Sequence, residues 1–260
     1  MNQHPLVTVT VTGADDTINP EEMGKLVDIW RRFPFVEFGL LMSANNTRTG
    51  CPRFPSIQWL SKLARYLTIN HLHDLRFSAH LCGKWVQQLL MGKALEGFGA
   101  VDDTNILDYV DRYQLNTHGV LHTLHKMEFL KALDRLPLSR AQIIFQLDGM
   151  NNELPIACRA DLDVAILHDV SSGAGLLPAG WNLPVPGLFN GYAGGLSPEN
   201  VVEQLHKICD LLPEHKQIWI DAETHLRSTV DGRDIFDLDK VAAFLEAVQP
   251  YVGSENRGLG

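Results

Sequence analysis

The feature that most constrains this chain is a regular alternation between short β-type runs with period-two apolar spacing and segments with helical spacing. Leu6 to Gly13 reads as a strand, and Pro20 to Arg32 follows with helical spacing, Asn19 at the N-cap and Pro20 at the first helical position. Phe35 to Met42 is the second strand, and Ser56 caps a helix carrying Ile57, Leu60, Leu63, Ala64 and Leu67. The pattern continues with strand Arg76 to Cys82 and helical Gly83 to Leu90, then strand Arg112 to Asn116 and a helix over Thr123 to Leu136. Connections are shorter in the second half, with strands Gln142 to Asp148, Asp163 to Asp169, Leu188 to Ala193 and Gln217 to Ala222. The last two are followed by helices Pro198 to Leu212 and Leu238 to Tyr251.

Alternating β and α segments demand a parallel sheet, and eight of them favour closure over an open doubly wound sheet. At 260 residues the chain has the size of one (βα)8 TIM barrel, an α/β fold. We expect the barrel over residues 1–252 and a flexible C-terminal tail over 253–260. Hydrophobic residues make up 45% and charged residues 20%, enough for a sizeable core. The net charge of −9 is spread along the chain without a basic stripe, which argues against nucleic acid as a partner. No run approaches membrane-spanning length and the N-terminus lacks a signal-peptide pattern, so a cytoplasmic protein without a membrane partner is expected. The four cysteines are far apart and form no CxxC pair, so free thiols are expected.

Strand parity assigns the interior. With Val9, Val11, Phe38, Leu40, Phe77, Ala79 and Leu115 facing the helices, the axis receives Thr8, Thr10, Thr12, Glu37, Ser78, His80, Gln114 and Asn116. Gln146 and Asp148 follow from strand five, Asp169 from strand six, and Asp221 from strand eight with Glu223 just beyond. Buried ionisable groups are costly unless they serve one another or a ligand, so this set marks a pocket at the strand C-termini. The alternative for any single residue is a hydrogen-bonded interior layer. Arg53 and Arg227 are candidate bidentate anion ligands, the competing view being solvated surface arginines.

Strand seven ends in Tyr192-Ala193-Gly194-Gly195-Leu196, and Ser197-Pro198-Glu199-Asn200 opens a helix. Glycines admit close approach of backbone N–H groups to an anion, and a helix start adds a favourable dipole. Gly194, Gly195 and Ser197 are therefore the candidate phosphate ligands, with Gly173 and Gly175 of the Ser171-to-Gly175 loop on the neighbouring wall. A tight βα connection and a hinge are the plainer readings of these two segments. His122 and His125 can share a helix face, but no carboxylate completes a metal set; neither metal nor cofactor is expected. Were a metal bound, His80, Asp148, Asp221 and Glu223 would suit it better.

The run Ala193 to Val201 closely resembles the phosphate-binding segment of phosphoribosylanthranilate isomerase. His168-Asp169-Val170-Ser171-Ser172-Gly173-Ala174-Gly175 and Cys51-Pro52-Arg53 are similar to two further stretches of that family. The resemblance implies a barrel of the ribulose-phosphate-binding type and an aldose–ketose isomerisation, with a strand-six Asp, here Asp169, as general acid. The family's strand-one base, a cysteine, appears here as Thr12, whose hydroxyl is far too weakly basic for that task unaided. The expected reading is a general acid/base isomerase or lyase acting on a phosphorylated sugar or sugar conjugate. Asp169 is its acid, His80 or Glu37 the base with His80 favoured, and Asp148 and Glu223 tune the acid. Asn116, Gln146, Asp221, Arg53 and Arg227 then contact the substrate. The rival is a non-catalytic barrel that keeps the phosphate pocket, which Thr12 favours and the inward carboxylates oppose. A Schiff-base aldolase ranks lower, because Lys84, Lys131 and Lys216 lie outside the strand interiors. Oligomeric state is left open.

Overall fold

The computed structural model describes residues 4–43, 50–90, 105–116, 131, 141–147, 162–169 and 174–253. Eight strands, β1 (Leu6–Thr12), β2 (Val36–Ser43), β3 (Arg76–Cys82), β4 (Val110–Asn116), β5 (Gln142–Leu147), β6 (Val164–Asp169), β7 (Phe189–Ala193) and β8 (Ile218–Ala222), close into a barrel in sequence order. Every neighbouring pair is parallel, including β1 with β8. The alternation thus yields the expected fold, and β3 has the expected bounds.

Helices Gly24–Arg32, Ile57–Ile69, Lys84–Leu90, Val201–Cys209 and Leu238–Val248 are described between and after the strands. Ser56 caps the second through its hydroxyl, which accepts from the Trp59 amide at 3.1 Å. Pro20 opens a single 3-10 turn, Pro20–Glu22, rather than the α-helix itself, which begins at Gly24. The helix after β7 likewise starts at Val201, three residues after Pro198. The expected helix over 123–136 lies outside the described residues, as do the tail residues 254–260. At the other end of that tail, Val252 bridges to Leu6 and the Gly253 amide donates to the Leu6 carbonyl at 3.0 Å.

The main core lies between strands and helices, where Val9, Val11, Phe38, Leu40, Phe77, Leu115, Phe145 and Ile220 are sealed from solvent. A second cluster sits on the barrel axis and comprises Ile144, Ala165, Leu167, Ala193 and Trp219, with Phe189 packed against it. This plug sets the floor of the barrel. Gly191 makes room for it, since a Cβ there would come within 2.2 Å of the Trp219 ring. Arg112 stacks over the same indole, 4.3 Å from its centroid.

One element was not expected. Arg227–Val230 (β9) and Arg233–Phe236 (β10) form an antiparallel hairpin after β8. Asp231 and Gly232 form its two-residue loop with φ values of 50° and 74°, the left-handed pair that a type I′ turn needs. Among the described residues, no helix is long and apolar enough to cross a membrane.

Candidate active site

Parallel strands bring all their C-terminal ends to one rim, and a cavity of about 530 Å³ opens there, a size suited to a small molecule. Ten of the expected site residues line it: His80, Asn116, Gln146 and Asp169 from β3 to β6, Asp221 and Glu223 from β8 and its exit, and Arg53, Gly175, Gly194 and Gly195 from loops. Parity explains the strand residues. Because β-strand side chains alternate, His80, Gln114, Asn116, Leu167, Asp169 and Asp221 share the axial face with the rim.

The carboxyls dominate the electrostatics. Burial lifts Asp221 well above the ordinary carboxylate range; Thr12, whose Oγ1 donates to Oδ1 at 2.7 Å, opposes that rise, and Glu223, Asp169 and Glu37 add to it. Burial also raises Glu223, against the pull of Arg53 beside it. Asp169 accepts from Gln146 Nε2 at 2.6 Å. Burial and the Arg112 charge push His80 down to about 3, so its imidazole is neutral at ordinary pH and a feeble proton acceptor. Its Nε2 lies 3.0 Å from Ser78 Oγ.

Arg53 enters the mouth from the loop after β2. Its guanidinium donates to Glu223 Oε1, Thr224 Oγ1 and Asp234 Oδ2 at 3.1, 3.1 and 3.2 Å. The backbone there has φ 78°, a strained value for a side-chain-bearing residue, and the Arg53 amide donates to Asp15 Oδ2 at 2.6 Å.

The glycine turn after β7 also faces the cavity. Gly194 and Gly195 adopt φ values of 117° and 65°, and among the described residues their amides make no hydrogen bond. Gly195 has a further reason to lack a side chain: a Cβ would stand 2.4 Å from the Leu177 backbone nitrogen. The segment after β6 therefore crosses directly over this turn.

Three expected residues are placed elsewhere. Glu37 lies in the floor, where it accepts from Thr10 Oγ1 at 2.8 Å and pairs with Arg112 at 3.1 Å; it is not part of the cavity wall, so the geometry rules it out as a base at the rim. Arg227 is no anion ligand: its guanidinium is committed to Asp15 Oδ2, Asp234 Oδ1 and the Gly13 carbonyl, each at 2.7 Å. The Ser197 amide is likewise taken, by Asn200 Oδ1 at 2.9 Å, and the Ser197 hydroxyl bonds the Glu199 carboxylate. An anion at the helix start would meet that carboxylate. Asp148 and Gly173 lie outside the described residues, as do His122 and His125.

Sequence reasoning missed two features of the site. The Thr12–Asp221 contact joins residues at the two ends of the chain, which only barrel closure brings together. His225, whose Nε2 is 2.9 Å from the Gly175 carbonyl, joins the rim from the exit of β8. Among the described residues no cluster of His, Cys, Asp and Glu has metal-holding geometry.

No protein-family model and no curated protein sequence matches the chain. Among solved structures, a monomer form of the dimeric phosphoribosylanthranilate isomerase from Thermotoga maritima superposes with a TM-score of 0.51 at 14% identity, covering 94% of this chain and 98% of that one. A native KDPGal structure covers 96% of this chain and 97% of its own, with a TM-score of 0.45 at 14% identity. At such identities the likeness is one of architecture: the chain has the (βα)8 barrel fold of phosphoribosylanthranilate isomerase.

Proposed function

We propose that the chain is an enzyme that moves protons on a small phosphorylated substrate, a sugar phosphate or a sugar-phosphate conjugate, in an aldose–ketose type of isomerisation. One observation carries the reading. The amides of Gly194 and Gly195, without hydrogen-bond partners among the described residues, and the carboxyls of Asp169, Asp221 and Glu223 face the same cavity of about 530 Å³. The first are suited to hold an anion and the second to handle protons.

The phosphate rests on the amides of the glycine turn rather than on the helix start, where Asn200 and Glu199 already stand. Arg53 supplies positive charge at the same rim. Asp169 is the general acid, protonating the oxygen that gains charge when the neighbouring carbon is deprotonated. It faces the cavity beside Asp221 and Glu223, and its carboxyl accepts from Gln146 Nε2. Asn116, Gln114 and Gln146 offer amide groups for sugar hydroxyls. The raised Asp221 also weighs against a merely binding barrel, which gains nothing from burying acids near an anion.

Calorimetry with inorganic phosphate, ribose 5-phosphate and ribose tests the anion site. Ribose 5-phosphate should bind at least about tenfold more tightly than ribose, the margin of one charge-assisted contact. Equal affinities would remove the phosphate from the proposal. Turnover of phosphoribosylanthranilate, followed by NMR, tests the isomerisation itself.

A further inference from the structure

The position that ends β1 carries a hydroxyl, and its neighbours fix where that hydroxyl points. Thr12 and Asp221 are 1% and 6% exposed, and the 2.7 Å bond runs from Thr12 Oγ1 to Asp221 Oδ1. On the other flank, Gly39 of β2 pairs with Thr12 in register, and a Cβ at position 39 would lie 2.2 Å from Thr12 Oγ1. The glycine leaves room for the hydroxyl and the carboxylate receives it. Among the described residues Asp221 Oδ2 has no hydrogen-bond partner, and the residue lines the cavity.

Resting on the proton-transfer reading above, we infer that Asp221 is the group that takes the substrate proton, with Thr12 as the positioning residue that holds its carboxylate in the mouth. Oδ1 is occupied by Thr12, so Oδ2 faces the substrate. Asp221 as carboxylate removes the proton from the carbon next to a carbonyl or iminium carbon. The C–H pair becomes the new C=C bond, the old C=O or C=N π pair moves onto its heteroatom, and Asp169 protonates that atom. Asp169, now a carboxylate, then takes the hydroxyl proton on the deprotonated carbon, and that O–H pair becomes the new C=O bond. The C=C pair takes the proton back from Asp221 at the former carbonyl or iminium carbon, so the isomerisation needs no oxidant or reductant. The charged and titratable groups facing Asp221 are Glu37 of β2, Asp169 of β6 and Glu223 beyond β8, the last balanced by Arg53. Three carboxyls favour the protonated form, and the Thr12 hydroxyl is the contact that favours the anion. Position 12 thus keeps a part in proton removal without supplying the base.

Carbon-13 carboxyl NMR of the full chain tests this, alongside exchange of the C2 proton of ribose 5-phosphate in deuterated water. The signal lost in Asp221→Asn should titrate above the usual carboxylate range. Its midpoint should rise in Thr12→Val and return in Thr12→Ser, and the acid limb of the exchange profile should move with it. Asp221→Asn should slow exchange by about 10²–10⁴-fold, the usual worth of acid/base assistance. Exchange unaltered in Asp221→Asn, or an Asp221 midpoint indifferent to Thr12→Val, overturns the inference. A wild-type chain that binds ribose 5-phosphate yet exchanges nothing sinks the isomerase reading instead, while the titration still decides the Thr12–Asp221 coupling.

Discussion

Arg227 and Asp15 form a 2.7 Å ion pair whose side chains are 2% and 1% exposed, and it ties the β9–β10 hairpin to the loop leaving β1. Asp15 also holds the Arg53 amide, and Asp234 of the hairpin binds both arginines. The mouth-lining Arg53 is therefore positioned by residues that do not line the cavity. Arg227→Met leaves Asp15 buried without its cation, and breaking such a pair on one side costs about 3–5 kcal/mol. Thermal or urea unfolding should show that loss. A change within about 0.5 kcal/mol, the size of an ordinary surface substitution, would mean the pair is hydrated.

Gly195 separates two reasons for a glycine. Because a Cβ would meet the Leu177 backbone and φ is +65°, Gly195→Ala should displace the segment after β6 and cost about 1–3 kcal/mol, as overpacking does. Loss of phosphate affinity in that variant is then accompanied by loss of stability. An alanine variant with wild-type unfolding behaviour would show that the crossing segment moves aside at no cost.

The pH dependence of stability has two opposed parts. His80 is held near 3 in the folded state, whereas in the unfolded chain it titrates at about 6.5. Its contribution is complete above the unfolded value and is lost as pH falls through this window, at up to about 1.4 kcal/mol per pH unit. Asp221 is raised, so its contribution is complete below the ordinary carboxylate value and is lost as pH rises through its folded value. His80→Gln should flatten the acid fall in chemical-denaturation stability between pH 6.5 and 3, the two values just given. Asp221→Asn should gain on the wild type with rising pH. Parallel pH curves for the variants and the wild type would contradict both assignments.

Much of this was legible because strand parity and βα alternation are local properties. Val9 and Phe38 face the helices, and His80 and Asp169 face the axis, as the period-two pattern requires. Height along the axis is not local. Parity puts Glu37 and His80 on the same face, but the stagger between strands decides that one belongs to the floor and the other to the mouth. The Asp231-Gly232 dipeptide is a local hairpin signal, overshadowed in the sequence by the stronger helical stripe that follows. Arg227 looked like an anion ligand because its partners, Asp15 above all, are remote in sequence. The second reason for a glycine at position 195 was hidden in the same way, since the backbone it touches comes from another loop.

The difference in height gives a direct experiment. Glu37 and Arg112 close the floor together, with Arg112 also bonded to Gln142 Oε1 at 3.0 Å and stacked on Trp219. Glu37→Gln strips the buried guanidinium of its counter-charge and leaves the cavity wall intact, its one effect at the mouth being the loss of a charge that helps to raise Asp221. We expect it to cost about 3–5 kcal/mol in unfolding free energy, as a half-broken buried pair does, while ligand affinity of the folded fraction is preserved. Asp169→Asn should behave in the opposite sense, with stability nearly unchanged and turnover falling by about 10²–10⁴-fold once a substrate is in hand. Measured on the same panel of sugar phosphates, the two variants place catalysis at one level of the barrel. Were Glu37→Gln to abolish turnover at full stability, the floor and not the rim would hold the base, and the Thr12–Asp221 pair would be a structural contact.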